Sequence, residues 1–244
     1  MRRLLAGVFT LALVSPLAGE IEKLSLVSRG KPRTYYLFVP PSVTAEKPAP
    51  LLVTLHGSGR NGKVLLQKWK DLAEKEGIVL AGPDSADSEV WSSPEDGPLF
   101  LYELVEELKS EHPIDPRRVY LFGHSAGGMF ALQIGSLESE YFAAAAISAG
   151  ALPPQQYSIH DYATRKIPFV FFVGTRDPLF SVREVRANGE ALTSRGFPVE
   201  ITEIRGHDHN YYARSGMINR SVWEFLSKHR LSADPKYTPY LETK

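Results

Sequence analysis

The chain contains no cysteine, which excludes disulfide bonds, zinc–thiolate sites and a cysteine nucleophile. It also lacks an excess of charge of either sign. The 28 lysine and arginine residues are balanced by 28 aspartate and glutamate residues, so no net charge attracts the chain to nucleic acid or to an anionic membrane. The composition that remains is 43% hydrophobic and 23% charged, which excludes a disordered or collagen-like chain. A chain of 244 residues can bury its core as one domain.

Hydrophobic runs long enough to span a membrane are also missing, and the longest run lies at the start of the chain. Met1-Arg2-Arg3 is basic, residues 4–17 are mostly apolar, and the small residues Ala18 and Gly19 follow. This order is typical of a secretory signal peptide, and the apolar part is short for a membrane span. We therefore expect residues 1–19 to be a signal peptide cleaved near Ala18 or Gly19. An uncleaved N-terminal anchor is the alternative.

Beyond the first segment, hydrophobic residues alternate between strand and helix periods. Strand patterns cover residues 21–28, 33–39, 51–55, 78–81, 118–122, 143–148, 169–173 and 199–204. Helix patterns cover residues 63–76, 99–108, 126–135, 182–194 and 215–228. This alternation predicts an α/β fold with a mostly parallel eight-stranded sheet, helices on both faces, and an antiparallel edge from the first two strands.

The connections between these segments are short, which leaves no room for a second domain or a large cap. We expect one domain over residues 20–244, with residues 235–244 as a polar tail. Two longer loops, residues 84–98 and 151–168, follow strands. They should lie at the carboxyl ends of the sheet, where open α/β folds bind ligands.

The clearest chemical motif is Gly123-His124-Ser125-Ala126-Gly127-Gly128, which directly follows a buried strand and opens a helix. This is the G-x-S-x-G pattern in a strand–turn–helix context. Glycines remove side chains that would clash at such a sharp turn, and the helix start places free N–H groups beside the serine. The motif predicts that Ser125 is a nucleophile, whereas His124 fits a packed residue better than a catalytic one.

An activated serine needs a base and an acid that orients the base, in the chain order Ser, Asp or Glu, His for this architecture. Asp177 follows the strand at 169–173 and is the predicted acid. A helix cap or an Asp-Pro turn is the structural alternative for this residue. Asp161 and Asp208 are weaker candidates for the acid.

Two histidines compete for the role of base, because His207 and His209 both follow the strand at 199–204. The carboxyl ends of parallel strands share one edge of a sheet, so either histidine could reach Ser125. We favour His209, since the longer loop lets it fold back over the serine. His207-x-His209 lacks a convincing third metal ligand, and the predicted chemistry needs neither a metal nor a cofactor.

An attacked carbonyl group develops an oxyanion that needs hydrogen-bond donors already in place. We predict that these donors are the backbone N–H groups of Ala126 and of Ser58, which lies in the glycine-rich loop 56–62. Residues in loops at the carboxyl edge could line a substrate pocket, although packing roles are as plausible for several of them. The candidates are His56, Gly57, Trp91, Tyr157, Phe180 and Tyr211.

Over about residues 33–231 the chain resembles the α/β-hydrolases. It is closest to the small serine esterase branch of polyhydroxybutyrate depolymerase-like, feruloyl esterase-like and S-formylglutathione hydrolase-like proteins. The matching segments are Leu55-His56-Gly57, Asp115-Pro116-Arg117-Arg118-Val119-Tyr120, the Ser125 motif, Gly174-Thr175-Arg176-Asp177-Pro178 and Gly206-His207-Asp208-His209-Asn210-Tyr211-Tyr212. The last segment is similar to the base loop of S-formylglutathione hydrolases, and this resemblance implies that His209 is the base.

The chain also departs from these relatives. It lacks the disulfides of the polyester and feruloyl branches, has Ser58 where some carry cysteine, and does not follow His209 with tryptophan and proline. An export signal does not suit a cytosolic glutathione ester. Neither polymer nor thioester activity is therefore carried over from the resemblance.

Together these features predict a secreted or periplasmic serine carboxylesterase. Its substrate would be a small-molecule or polymer ester. Without a large cap, the cleft should be open enough to accept an acylated polysaccharide. A serine peptidase or phospholipase of the same fold is an alternative, and an inactive hydrolase scaffold used as a binding module is an alternative of another class. We expect no nucleic-acid partner and no stable membrane insertion after the signal peptide is removed.

Overall fold

Eight strands form one sheet in a computed structural model, which describes residues 19–237. The predicted signal peptide, apart from Gly19, and residues 238–244 of the predicted tail lie outside the described residues. The strands are β1 (Ile21–Ser28), β2 (Lys31–Phe38), β3 (Ala49–Leu55), β4 (Val79–Pro83), β5 (Ile114–His124), β6 (Ala144–Ser148), β7 (Phe169–Gly174) and β8 (Val199–Ile204). The helices are α1 (Gly62–Glu76), α2 (Pro98–Glu111), α3 (Ala126–Leu137), α4 (Val182–Thr193) and α5 (Tyr211–Leu226).

The sheet has the order β1-β2-β4-β3-β5-β6-β7-β8. The pairs β1–β2 and β2–β4 are antiparallel, and every later pair is parallel. The predicted fold, a mostly parallel sheet with an antiparallel edge, is confirmed. Because β5, β7 and β8 are parallel, the residues that follow them emerge at one edge of the sheet.

Both faces of the sheet are covered, so the central strands are buried throughout. All seven residues of β3 are buried, and its side chains alternate between two cores. Leu51 and Val53 belong to the core on the side of α2, α3 and α4, whereas Leu52 belongs to the core on the side of α1 and α5. Burial on both faces explains why this strand has a continuous apolar sequence rather than an alternating one.

The hairpin between β1 and β2 is tighter than predicted. The turn consists of Arg29 and Gly30 alone, with φ angles of 51° and 73°, and Ser28 pairs directly with Lys31. Two consecutive positive φ angles match the right-handed twist of the flanking strands, and glycine adopts them without strain. Lys31 and Pro32 therefore belong to β2 instead of the turn.

Two predicted boundaries differ because local geometry outweighs the hydrophobic pattern. Strand β5 begins at Ile114 instead of at residue 118, and Asp115 is buried in ion pairs with Arg118 and Arg230. Helix α5 begins at Tyr211 instead of at residue 215. Non-helical backbone angles at Arg214 separate its first turn from the rest of the helix. The helical hydrophobic pattern in the sequence starts directly after this kink, at residue 215.

A buried ion pair orders the long loop after β4. Asp96 is fully buried, and its Oδ1 accepts hydrogen bonds from Arg33 (2.5 Å) and from the Ala86 N–H (2.8 Å). Its Oδ2 accepts the Ser92 N–H at 2.9 Å. A buried carboxylate is tolerated only when its oxygens are satisfied in this way. The loop that the sequence places at the carboxyl edge is therefore held in a defined conformation.

The described part of the tail ends on the protein surface next to α2. The ring of Tyr237 stacks on that of Tyr102, with centroids 3.8 Å apart and planes at 8°. Among the described residues, none of the helices combines the length and apolar character that a bilayer crossing requires.

The second long loop contains a short 3₁₀ helix, Pro154–Tyr162, which the sequence pattern did not indicate. It carries His160, which is fully buried and whose Nδ1 lies 2.7 Å from the Ser136 Oγ. Ser136 donates its own proton to the Leu132 carbonyl, so Nδ1 of His160 must be the donor in this pair. Burial lowers the pKa of His160 to about 4.

We expect the free energy of unfolding to fall as the pH falls from about 6.5 to about 4. The unfolded chain protonates His160 near its ordinary pKa of 6.5, whereas the folded chain does so only near 4, so acid favours the unfolded state in this window. The expected loss is up to about 3 kcal/mol at the acid end. Urea denaturation at pH 7, 5.5 and 4.5 measures it. The double variant His160→Leu/Ser136→Ala should show a flatter acid dependence, and an unchanged slope would exclude His160 as its source.

Candidate active site

Ser125 lies on a sharp turn between β5 and α3. Its backbone angles are φ 57° and ψ −120°, a strained conformation for a residue with a side chain. A Cβ atom at Gly123 would lie 2.1 Å from the Gly127 carbonyl oxygen, and one at Gly127 would lie 2.1 Å from the Leu55 carbonyl oxygen. Glycine is required at both positions because the backbone segments approach too closely for any side chain. The turn therefore projects the Ser125 hydroxyl at the carboxyl edge of the sheet.

The structure brings three predicted residues together in one chain of hydrogen bonds. Nε2 of His209 lies 2.9 Å from the Oγ of Ser125. On the other side of the ring, Nδ1 lies 2.9 Å from Oδ2 and 3.2 Å from Oδ1 of Asp177. A carboxylate can only accept, so Nδ1 carries the proton and Nε2 faces the serine as an acceptor. This is the arrangement that a serine needs to lose its proton.

Asp177 is fixed by its own loop. Its side chain is fully buried, and Oδ1 accepts the backbone N–H groups of Leu179 (2.8 Å) and Phe180 (3.0 Å). The loops after β7 and β8 are also tied together, because the Arg176 N–H donates to the His207 carbonyl at 2.9 Å. The acid therefore holds the ring of His209 from a rigid position.

The competing residues named from the sequence lie elsewhere. The ring of His207 is buried, and its nearest carboxylate contact is Asp208 at 3.8 Å. Asp208 has a side chain 64% exposed and accepts the Asn210 N–H. Asp161 forms an ion pair with Arg195 at 2.6 Å. The histidine that contacts Ser125 is thus His209, and the acid behind it is Asp177.

The predicted oxyanion donors flank the serine. Ala126 is the first residue of α3, and the first N–H groups of a helix have no intrahelical partner. On the other side, the loop after β3 lies close to Ser125. A Cβ atom built at Gly57 would be only 3.2 Å from the Cβ of Ser125. Ser58 follows Gly57 and is anchored through its Oγ, which donates to the Glu89 carbonyl at 2.7 Å.

His56 orients this loop from below. Its Nδ1 lies 2.9 Å from the Gly57 carbonyl oxygen, and its Nε2 accepts the Ser85 N–H at 3.2 Å. A carbonyl can only accept, so Nδ1 is protonated and holds the Gly57 carbonyl towards the interior. In a trans peptide the N–H of Ser58 then points the opposite way. Burial also lowers the pKa of His56, which keeps the ring neutral.

Three of the six residues predicted to line a pocket are core residues instead. Tyr211 is 1% exposed, and its hydroxyl donates to Asn219 at 2.6 Å, so it has no surface for a ligand. His56 is 1% exposed. Trp91 is buried on Phe130, and its Nε1 donates to the His56 carbonyl at 2.8 Å. These three rings therefore lie under the loops of the site and support them, and they do not line a pocket.

Two cavities lie near the Ser125–His209 pair: His209 lines the first, and Phe180, whose ring stacks on that of His209, lines the second. The first, which we name the polar pocket, has a volume of about 340 Å³, and its walls include Gly57, Ser58, Arg60, His124, His209 and Asn210. The second, which we name the apolar groove, has a volume of about 600 Å³. Its walls are mostly apolar and include Met129, Leu152, Tyr157, Leu179, Phe180 and Ala187, together with the charged residues Arg183 and Glu184.

Of the predicted pocket residues, Gly57 therefore lies in the polar pocket, and Tyr157 and Phe180 lie in the apolar groove. Arg60, Met129 and Leu179 also line these cavities, and the sequence pattern did not indicate them. Leu179 is the one that a sequence signal could have revealed, since a large apolar residue directly follows Asp177-Pro178 in a surface loop. Within residues 19–237, no cluster of three or more histidine or acidic side chains has the geometry to hold a metal ion.

Ser125 lies on a strand–turn–helix connection of a mostly parallel sheet, and His209 and Asp177 lie in later loops at the same edge of that sheet. This combination defines an α/β-hydrolase. The chain belongs to the dienelactone hydrolase family, whose family model matches residues 93–230. This assignment agrees with the predicted resemblance to α/β-hydrolases.

Similar proteins carry esterase names. NocK of Nocardia uniformis subsp. tsuyamanensis, named as an esterase, is 32% identical over 168 residues, which is 63% of this chain and 48% of that protein. The bifunctional acetylxylan esterase/xylanase XynS20E of Neocallimastix patriciarum is 28% identical over 64% of this chain and 23% of its own length. The chain thus spans about half or less of the curated relatives it matches.

Solved structures show the same fold. The S-formylglutathione hydrolase of Agrobacterium tumefaciens superposes with a TM-score of 0.71, covering 90% of this chain and 99% of its own. The sequence identity is 18%, so this likeness concerns the fold alone.

Proposed function

We propose that this protein is a serine esterase that hydrolyses carboxylic esters through an acyl-enzyme on Ser125. The observation that carries the proposal is the 2.9 Å contact between Nε2 of His209 and the Oγ of Ser125, with the buried carboxylate of Asp177 behind the ring. A hydroxyl, a neutral imidazole and an orienting carboxylate in this order form the machinery of acyl transfer.

In the first half of the reaction, the Oγ of Ser125 attacks the ester carbonyl carbon while its proton passes to Nε2 of His209. The carbonyl oxygen becomes an oxyanion, which the N–H groups of Ser58 and Ala126 stabilise. The intermediate then collapses by breaking the bond to the alcohol oxygen, and Nε2 returns the proton to the leaving alcohol. Asp177 stabilises the imidazolium that exists between these two transfers.

In the second half, a water molecule replaces the alcohol. His209 Nε2 takes a proton from the water as its oxygen attacks the acyl carbon. The second oxyanion collapses by breaking the bond to Ser125, whose Oγ recovers the proton from His209. This half releases the carboxylic acid and restores the free enzyme. Over both halves, one ester and one water molecule give one alcohol and one carboxylic acid.

The substrate we favour is an acylated polysaccharide or another polymer ester. Two features support it: the His209 side chain remains 22% exposed at the surface, and one relative is named as an acetylxylan esterase. We also propose that residues 20–244 form a single hydrolase domain acting in an extracytoplasmic compartment, after removal of residues 1–19 as an export signal. The basic, apolar and small-residue order of that segment supports this location.

A fluorophosphonate probe tests the nucleophile directly, because it labels a serine only when a base activates the hydroxyl. We expect one label per chain, located on the peptide that contains Ser125, with loss of p-nitrophenyl acetate turnover in proportion to labelling. Ser194→Ala serves as the control, since Ser194 lies at the end of α4 away from the site. An unlabelled chain would instead support the inactive scaffold, and amide turnover above ester turnover would support a peptidase.

A further inference from the structure

The polar pocket and the apolar groove share one turn. Pro178 lies in the wall of the polar pocket, whereas the next residues, Leu179 and Phe180, lie in the wall of the apolar groove. The ring of Phe180 is also nearly parallel to that of His209, with centroids 5.8 Å apart and planes at 21°. The two cavities therefore border one turn beside the predicted base, one cavity for each half of an ester held at Ser125.

The wall of the polar pocket contains a hydrogen-bond acceptor of fixed direction. Nδ1 of His124 lies 3.2 Å from the Ser148 carbonyl oxygen, so Nδ1 carries the proton and Nε2 is left as an acceptor. Burial lowers the pKa of His124 to about 4, which keeps the ring neutral at physiological pH. The Cδ2 edge, next to Nε2, faces Gly57, where an added Cβ would lie 3.3 Å away. His124 lines the polar pocket, and this acceptor lies next to the Cδ2 atom that faces Gly57 in the same wall.

The other polar groups of this pocket are of mixed charge and type. Arg60 and Asp208 contribute opposite charges, and Asn210 contributes an amide that caps no helix. The hydroxyl of Tyr212, in the same wall, is buried without a hydrogen-bond partner among the described residues. Because the charges oppose each other and donors lie beside acceptors, the pocket suits a neutral group with several hydroxyls better than an ion.

The apolar groove has the opposite character. Met129 lies one helical turn after Ser125, whose carbonyl accepts the Met129 N–H at 3.0 Å. Leu179 is 64% exposed at the rim, an unusual exposure for a large apolar side chain next to a catalytic acid. The one hydroxyl group of this wall that we identify, that of Tyr157, already contacts Asn188 at 3.0 Å. The charged residues of this wall, Arg183 and Glu184, are exposed, and the Glu184 carboxylate already accepts hydrogen bonds from the backbone N–H and the hydroxyl of Ser181. The groove can therefore accept an alkyl or aryl group against its apolar walls.

The direction of proton transfer decides which half of the ester enters which cavity. The leaving alcohol oxygen must receive its proton from Nε2 of His209, and His209 itself lines the polar pocket. The acyl carbon is bonded to Ser125 during the reaction, and Met129 places the apolar groove one turn along the same helix. The alcohol thus belongs to the polar pocket and the acyl chain to the apolar groove.

We propose that the preferred substrate is the ester of an apolar acid, longer than acetate, with a hydroxyl-rich, sugar-like alcohol. In this assignment His124 Nε2 accepts a hydrogen bond from an alcohol hydroxyl, and Leu179, Met129 and Ala187 contact the acyl chain. The assignment rests on the proposed esterase function and adds the substrate class and the residues that select it.

The acyl half is tested by filling the groove. Ala187→Phe should lower the ratio of kcat/KM for p-nitrophenyl octanoate to that for p-nitrophenyl acetate by about tenfold or more. Ala191→Phe makes the same change one turn further along α4, outside the groove, and should leave this ratio and the acetate rate unchanged. If Ala187→Phe instead lowers the ratio for octyl acetate over ethyl acetate, the groove holds the alcohol and the assignment is wrong.

The alcohol half is tested with two esters of one acid, 6-O-octanoylglucose and ethyl octanoate. His124→Asn keeps a donor for Ser148 but no longer reaches the position of Nε2, and should lower the glucose-to-ethyl ratio of kcat/KM by about tenfold. His124→Gln, whose amide reaches that position, should recover most of the ratio. Asn210→Ala, an exposed change that removes no helix cap, should lower the ratio in the same direction.

These outcomes separate the substrate assignment from the esterase function. If fluorophosphonate labels Ser125 and p-nitrophenyl acetate is hydrolysed, but the wild-type enzyme prefers ethyl octanoate and no His124 or Asn210 variant changes the ratio, the alcohol assignment is wrong while the esterase stands. If neither labelling nor turnover occurs, it is the esterase function that fails.

Discussion

Ser125→Ala is expected to lower kcat for p-nitrophenyl acetate by about 10⁴-fold or more, because alanine has no oxygen to form the acyl-enzyme. The residual rate would come from the proposed oxyanion donors and the bound geometry, which the substitution leaves in place. Steady-state kinetics with protein free of wild-type contamination measures the effect. A rate within tenfold of wild type would reject Ser125 as the nucleophile.

The same variant should keep its fold, which separates lost chemistry from lost structure. Alanine retains the Cβ of serine, so the strain at φ 57° is the same in both proteins. The hydrogen bond to His209 that disappears is partly exposed and contributes about 1 kcal/mol to stability. We therefore expect an unchanged circular dichroism spectrum and a denaturation midpoint close to that of wild type.

His209→Ala is expected to reduce kcat by about 10⁴-fold to 10⁶-fold, because Ser125 then has no base within hydrogen-bonding distance. His207→Ala is the matched control, since it removes an imidazole two residues away in the same loop. Its main-chain carbonyl, which accepts the Arg176 N–H, is unaffected by the change. We expect His207→Ala to retain activity within about tenfold of wild type.

Comparing the two histidine variants under identical conditions gives a sharp test of the base. Comparable losses in both would indicate that the loop as a whole, and not one imidazole, supports activity. A larger loss in His207→Ala would contradict the assignment of His209. Thermal denaturation of both variants should accompany the kinetics, because the ring of His207 is buried and its removal also affects stability.

The sequence predicted most of the fold because hydrophobic periodicity is a local property. β8 was predicted with the observed bounds, and β7 and α4 to within one residue, since their apolar patterns coincide with their burial. The errors lie where local pattern and tertiary contact disagree. The 3₁₀ helix at Pro154–Tyr162 depends on the burial of His160 against α3, which no pattern within the loop reveals.

The candidate active site also contains residues that the sequence reveals and residues that only the folded structure reveals. Ser125 is recognisable in the sequence because its motif combines the steric needs of the turn with the helix that follows. The preference between His207 and His209 depends on which imidazole reaches the hydroxyl, and that is a matter of loop geometry. Tyr211 shows the converse error: it lies next to the site in the chain, yet its side chain packs against α1 and α5 in the core.

The sequence by itself determined that this protein has an alternating α/β fold with a serine on a sharp turn, because both features follow from residues adjacent in the chain. Only the tertiary structure decided that His209 meets Ser125 with Asp177 behind it, and that a polar pocket and an apolar groove border the turn after Asp177. Those contacts join residues 32 to 84 positions apart, and their distances are set by sheet order and by how the loops pack.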